Sequence, residues 1–294
     1  MNEPVDITLY AIPAFFALLG VEVWVLRSRR RRDDRAAVGY ERRDTVASLL
    51  VGLASTIPVF AINLAVFAVA TWLWQFRLVD LGTGVIGWSV AIVGWDLGYY
   101  WQHRLEHEIR FLWACHVNHH SSQHYNLSTA LRQPWTPWTH VLFYPPLALV
   151  GVRPAMIMVA AGVDLIFQFW VHTETIDRMP RWFEFALNTP SHHRVHHGSN
   201  PQYLDKNYAG IFILFDRIFG TFEAEQERVR YGLTKNISTF NPIRIAFHEY
   251  ASLGHDLRRA SSWGTRIRHL IGPPGWQPSA APPATGHTAV VYDA

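Results

Sequence analysis

The chain has 294 residues, 49% of them hydrophobic and 17% charged, with a net charge of +3. A single cysteine, Cys115, excludes a disulfide framework and a cysteine-built zinc site. The one dense basic cluster, Arg27 to Arg32, directly follows an apolar run, which suits a membrane flank and not a nucleic-acid-binding face, so no nucleic-acid partner is expected.

Taken in chain order, Ile7 to Leu26 is a 20-residue apolar stretch whose only charge is Glu22, long enough to cross a hydrocarbon core of about 30 Å as a helix. Its leader MNEPVD is acidic and no small-residue cleavage site follows, so it reads as an uncleaved span and not as a signal peptide. The arginines after it mark the cytoplasmic side and put the N-terminus outside. Thr45 to Phe76 has no charged residue and gives a second span, with room to bend at Pro58. Leu81 to Trp95 becomes a third if it continues through Asp96 into GYYW. Pro134 to Val152 and Pro154 to Val171 read as a helical hairpin that crosses or dips into the bilayer, interrupted at Pro145–Pro146. With the N-terminus outside, parity brings the third span and the hairpin back to the cytoplasmic face, where the histidines lie. Tyr208 to Phe222 is amphipathic and reads as interfacial or buried, and Gly272 to Ala294, rich in Pro, Gly, Ala and Ser, as disordered. The expected organisation is therefore N-terminal transmembrane helices over 1–80, a catalytic domain over 81–260 and a Pro-rich tail over 261–294. The fold class is all-α: a multi-span helical integral membrane protein with a histidine-rich di-metal site at its cytoplasmic face.

Histidine is the compositional outlier: there are 16, and 12 of them fall between His103 and His197. They form three clusters: His103 with His107, His116 with His119 and His120, and His192 and His193 with His196 and His197. His172 stands alone between the second and third. On a helix, residues three or four apart share a face, so each cluster can aim two or three imidazoles in one direction. A structural zinc needs four ligands. Eight motif positions (His103, His107, His116, His119, His120, His193, His196, His197), before His172 and His192 are added, suit two ions. An all-nitrogen shell with open positions suits iron and oxygen chemistry, although imidazole also accepts zinc, copper or nickel. Ligating imidazoles need a partner for the other ring N–H, and Asp96, Glu106, Glu174 and Asp205 are close enough in sequence to serve. His124 lies near the second cluster but off its spacing, while His140, His248, His255, His269 and His287 read as ordinary surface or core histidines.

At these motifs, over about Trp95 to Phe247, the chain resembles the fatty acid hydroxylase (sterol desaturase) superfamily of membrane di-iron enzymes. The blocks HHSSQHYNLSTALRQ, QFWVHTE, NTPSHHRVHHGSNPQYLDKNYAGIF and FDRIFGTFEAE look nearest to its glyceryl-ether-cleaving branch. The resemblance implies a non-haem di-iron monooxygenase acting on a lipid drawn from the bilayer, with O₂ as co-substrate and the eight motif histidines as ligands. His172 and His192 match further histidines of that family. It also implies tetrahydrobiopterin, or another electron donor, as reductant, and hydroxylation of the ether-linked carbon to release a fatty aldehyde. His124 departs from the branch, which has an acidic or aromatic residue there. No pterin-binding motif can be read in the chain. Asn126, Arg132, Asp205, Lys206 and Asn207 are polar candidates for the lipid head group, with loop capping and salt bridging as their ordinary alternative. Asp96, Glu174, Asn126 and Asp205 complete the expected catalytic surroundings. Two other functions stay open: a sterol, carotenoid, fatty-acyl or ornithine-lipid hydroxylase or desaturase, and a non-catalytic membrane metal-binding protein. A transporter would set its ligands along a path near the bilayer midplane, which the one-face clustering disfavours.

Overall fold

Long apolar stretches fold into long helices because, without water, only intrahelical hydrogen bonds satisfy the backbone. In the computed structural model, which describes residues 7–30 and 37–278, α1 (Ile7–Arg30) and α2 (Arg42–Trp74) are such helices. Glu41 caps α2, its carboxylate accepting from the Asp44 N–H at 2.7 Å. At about 1.5 Å per residue α2 runs to roughly 50 Å, more than a hydrocarbon core requires. Only 17% of its apolar window is buried, and Leu50, Leu53, Ile57, Phe60 and Leu64 point outward, a surface fit for lipid and not for water. Residues 31–36, the end of the basic cluster among them, lie outside the described residues.

The remaining elements are α3 (Val85–Glu108), α4 (Arg110–His120), α5 (Leu127–Ala130), α6 (His140–Phe143), α7 (Leu147–Val150), α8 (Pro154–Val171), α9 (Arg181–Ala186), α10 (Pro190–His196), a 3₁₀ turn (Pro201–Tyr203), α11 (Leu214–Phe219), α12 (Pro242–Arg259) and α13 (Trp263–Ile271). Among the described residues there is no strand, only an isolated bridge between Gly198 and Tyr231. Among the described residues three helices are long and apolar enough to cross a membrane: Tyr10–Ser28, Arg42–Trp74 and Pro154–Val171.

Two expectations meet a different structure. Pro134 to Val152 is not one arm of a hairpin. Its prolines leave only the four-residue helices α6 and α7, and Pro145 and Pro146 cannot donate the hydrogen bonds that would join them. Continuation of the third span through Asp96 does occur, since α3 is unbroken, but α3 is not among the helices apolar enough to cross a membrane. The tail expected from residue 261 begins with α13, which Ser262 caps by accepting from the Thr265 N–H. Arg110 of α4 pins this region: its guanidinium meets Glu249 and Asp256 of α12 at 2.7 Å, and its N–H donates to the Gly272 carbonyl. Residues 279–294 lie outside the described residues.

The core sits where α2, α3, α7 and α8 meet. Trp95 of α3 stacks on Tyr144 with ring centroids 3.5 Å apart, over Val66, Ala70, Ile157 and Ala160. Phe15 stacked on Phe169 joins α1 to α8. Gly52 lets α2 approach the Leu131 carbonyl so closely that a Cβ there would overlap it. That contact brings the start of α2 against the segment following the second histidine cluster.

Candidate metal centre

Four helix C-termini converge on one buried point. α3 ends there with His103 and His107, α4 with His116, His119 and His120, α10 with His193 and His196, and His197 and His172 cap α10 and α8. Each C-terminus carries a partial negative charge of about half an electron, so four of them favour a cation between them. The ring nitrogens sort into two groups: His103, His107, His116, His120 and His196 in one, and His119, His172, His193 and His197 in the other. Within each group the ligand atoms all lie within 4.8 Å of one another.

Hydrogen bonding fixes which nitrogen is free. His103 Nδ1 donates to the Tyr208 carbonyl at 2.7 Å, and His172 Nδ1 to the Gln168 carbonyl at 2.7 Å. His196 Nδ1 reaches the Lys206 carbonyl at 3.0 Å and His119 Nδ1 the Arg132 carbonyl at 3.3 Å. A neutral imidazole that donates from Nδ1 has a bare lone pair at Nε2. Yet these Nε2 atoms point at each other, with His172 to His119 at 3.1 Å. His103 to His116, His193 to His172 and His196 to His120 lie at 2.9, 2.9 and 3.1 Å. In the His172–His119 pair, where both Nδ1 atoms donate to carbonyls, lone pair faces lone pair, which is repulsive, and a shared cation removes the repulsion. His107 Nε2 is buried with no protein partner, a further donor of the same kind. Burial, and after it the neighbouring imidazoles, hold His116, His120, His172, His193, His196 and His197 well below the ordinary value of 6.5. Burial also holds His119 down to about 4. These seven rings are thus neutral near pH 7, the form in which imidazole ligates, and the donor set fits metal ions.

Nine of the ten histidines expected as ligands come together. His192 does not: it faces away from both groups, against the Phe222 ring. Among the expected carboxylates, Glu106 and Asp205 stand behind the first group, Glu106 at 3.7 Å from His116 Nδ1 and Asp205 at 3.8 Å from His107 Nδ1. Burial raises Glu106 to about 7, against hydrogen bonds from Gln102 and Thr139 that lower it. Asp96 acts at one remove. Its two oxygens accept from the Ile211 and Phe212 N–H groups at 2.8 and 2.7 Å, anchoring the segment whose Tyr208 carbonyl holds His103. Gly210 makes this possible, since a Cβ there would overlap the Asp96 and Asp164 carboxylates. Glu174 accepts from the Val38 N–H and the Tyr231 hydroxyl, and Asn126 caps α5 and donates to the Gly39 carbonyl; neither touches a ligand histidine.

Arg132 is fully buried and meets Asp44 of α2 at 2.7 Å, which fixes the carbonyl that His119 uses. Lys206 contributes its carbonyl rather than its ammonium. Asp205 and Asn207 flank it in the left-handed region at φ 58° and 56°, a conformation Asp and Asn tolerate better than most residues, and the turn aims both the Lys206 and Tyr208 carbonyls at histidines. The carbonyls of Tyr208, Gln168, Arg132 and Lys206 escape sequence reasoning because every residue carries one. Asp164, buried beside Asp96 and hydrogen-bonded to Gln168, could have been found as a lone charge within an apolar helix.

Comparison with known proteins agrees with this geometry. Residues 88–221 match the family described as Fatty acid hydroxylase. The chain is 39% identical to human alkylglycerol monooxygenase over 95% of its own length and 62% of the relative's. It is 42% identical to the Danio rerio alkylglycerol monooxygenase over 80% of its own length and 53% of the relative's. A more distant likeness, 28% identity over 44% of this chain and 39% of the relative, is to a Delta(7)-sterol 5(6)-desaturase of Gibberella zeae. The chain therefore spans about half to three fifths of the alkylglycerol monooxygenases it matches. No solved structure matches it significantly. All nine converging histidines fall inside residues 88–221, and the chain carries a fatty acid hydroxylase domain.

Proposed function

We propose that the chain is a membrane-bound di-iron lipid monooxygenase that hydroxylates the ether-linked carbon of alkylglycerols. The observation that carries this reading is the pair of histidine groups, five and four donors, in which the Nδ1 atoms of His103, His119, His172 and His196 donate to carbonyls and leave their Nε2 atoms bare. The likeness to alkylglycerol monooxygenases across most of the chain selects the substrate class.

Iron bound in both groups would supply O₂ activation, chemistry no side chain provides. The protein's own part is to hold nine imidazoles in place, exclude water and admit an alkyl chain between apolar helices. Insertion of one oxygen into the C–H bond next to the ether oxygen gives a hemiacetal, which collapses to a fatty aldehyde and glycerol. The second oxygen leaves as water, taking two electrons and two protons. Tetrahydrobiopterin, implied by the family likeness, is the proposed two-electron donor. The proposed site faces the cytoplasm with the N-terminus outside. Glu22 in the second half of α1 accepts from Thr173 just after α8, and Asp44 at the start of α2 pairs with Arg132 beside the histidines, so these ends gather at one end of the bundle, which supports that orientation.

Anaerobic reduction of the iron-loaded protein, followed by O₂ and a panel of lipids with mass spectrometry of the products, tests this. Long-chain aldehyde from alkylglycerol is the expected result, with two irons per chain. An intact ether bearing a new hydroxyl, or a turned-over sterol, would move the assignment to the second reading, which the sterol-desaturase likeness favours. One metal per chain sinks the di-metal centre.

A further inference from the structure

α10 presents histidines to two sides. His193 and His196 face the metal groups, while His192 lines a separate cavity of about 450 Å³ between α9, α10 and the segment after α11. His192 is 3% exposed, and its Nδ1 has no hydrogen-bond partner among the described residues. Three arginines share the lining, Arg178, Arg181 and Arg217. Arg178 donates to the Glu225 carbonyl, and Arg217 to the carbonyls of Phe185 and Glu184, so both are oriented by backbone. The Arg217 guanidinium lies 3.7 Å over the Phe222 ring, which fixes its plane. No carboxylate side chain makes an ion pair with any of the three among the described residues. The two carboxylates at the cavity are occupied elsewhere. Arg194 binds Glu225 through two nitrogens, at 2.6 Å for the closest contact, and Glu184 accepts from the Met179 N–H and the Ser191 hydroxyl.

We propose that this cavity is a binding site for a phosphate group, with Arg178, Arg181 and Arg217 as its donors. Three guanidinium forks exceed what a single carboxylate can pair, whereas a phosphate monoester offers three terminal oxygens and up to two charges. The volume leaves room beyond the phosphate for a group of glycerol size. Trp182 is 73% exposed, Phe185 61% and Ile218 70%; they flank the arginines on α9 and α11. An aromatic and apolar rim around cationic groups is the arrangement of a lipid–water interface, which favours a lipid headgroup over a free phosphate ester as the source. The site stands on its own observations and does not depend on the reaction proposed above.

The test uses the full chain in detergent micelles, with inorganic phosphate as the probe followed by phosphorus NMR, and in phosphatidylcholine bilayers, with spin-labelled phosphatidic acid compared with spin-labelled phosphatidylcholine. Saturable phosphate binding is expected, weakened about tenfold or more by Arg217→Gln at unchanged metal content, in line with removal of one hydrogen bond to a charged group. Preferential immobilisation of phosphatidic acid, lost in the same variant, identifies a lipid headgroup. Phosphate binding without that preference identifies a free phosphate ester. Arg181→Gln, at an exposed position, guards against a folding defect in the Arg217 variant and should weaken binding in the same direction. Absence of saturable phosphate binding, or binding equal in the wild type and both variants, overturns the proposal.

Discussion

The two histidine groups draw on overlapping helices but differ in what stands behind the ligands. In the five-histidine group, carboxylates back two of the rings: Glu106 behind His116 and Asp205 behind His107. In the four-histidine group only backbone carbonyls do this, from Arg132 and Gln168. A carboxylate raises the basicity of the imidazole it faces and offsets the charge of an ion, whereas a carbonyl mainly orients the ring. An ion in the first group would be held more tightly and kept closer to neutral. One in the second, with one donor fewer and no carboxylate, would keep more of its charge and more room for an oxygen ligand.

The strongest way to break this comparison is to remove a ligand. His196→Ala takes a donor from the five-histidine group and leaves the Lys206 carbonyl unpaired. Metal per chain should fall below two, and turnover by more than about a thousandfold, beyond the ten- to hundredfold typical of an outer partner. Metal analysis beside product yield checks this, and full occupancy in the variant would rule His196 out as a ligand. A smaller effect sharpens the contrast between the groups. Glu106→Gln can keep contacts with Gln102 and Thr139 but loses the charge behind His116. Metal affinity should drop about 10- to 100-fold for one ion and hardly at all for the other, read as biphasic release to a chelator. Uniform release would show that the carboxylates do not distinguish the groups.

Weaker again is the pH dependence of the metal-free chain. His119, held down to about 4, stays neutral in the folded state, while its unfolded form titrates at 6.5. Between those values the unfolded chain binds more protons than the folded one, so stability falls as pH drops from 6.5 towards 4 and is flat above 6.5 for this group. Thermal unfolding of metal-free protein across that range provides the measurement, and a rising Tm on acidification would contradict the burial of neutral imidazoles. The smallest expected effect is on metal content in His192→Gln. Since His192 joins neither group, two metals per chain should be retained. A lost ion would return His192 to the ligand set.

Much of this was legible without coordinates. Spacing of three and four residues put His103 with His107 and His116 with His119 and His120, because helical periodicity is a local property. Apolar runs marked α1, α2 and α8 for the same reason, as a membrane solvent acts on each segment separately. Local pattern also misled. An uncharged run over Pro134 to Val152 looked like a span, yet apolar composition cannot restore hydrogen bonds that its prolines do not make.

The sequence by itself determined that many imidazoles would gather in an apolar helical chain, since histidine number, helical spacing and hydropathy are all local. Only the tertiary structure decided how they divide. His172, alone in the sequence, joins the four-histidine group because α8 delivers it beside α4, and His192, inside a cluster, is excluded because α10 turns it to the far side. The backbone carbonyls that hold the rings, and the partition into five donors and four, follow from contacts between residues up to about a hundred positions apart, such as His103 with Tyr208. Packing sets those contacts, and no local pattern encodes them.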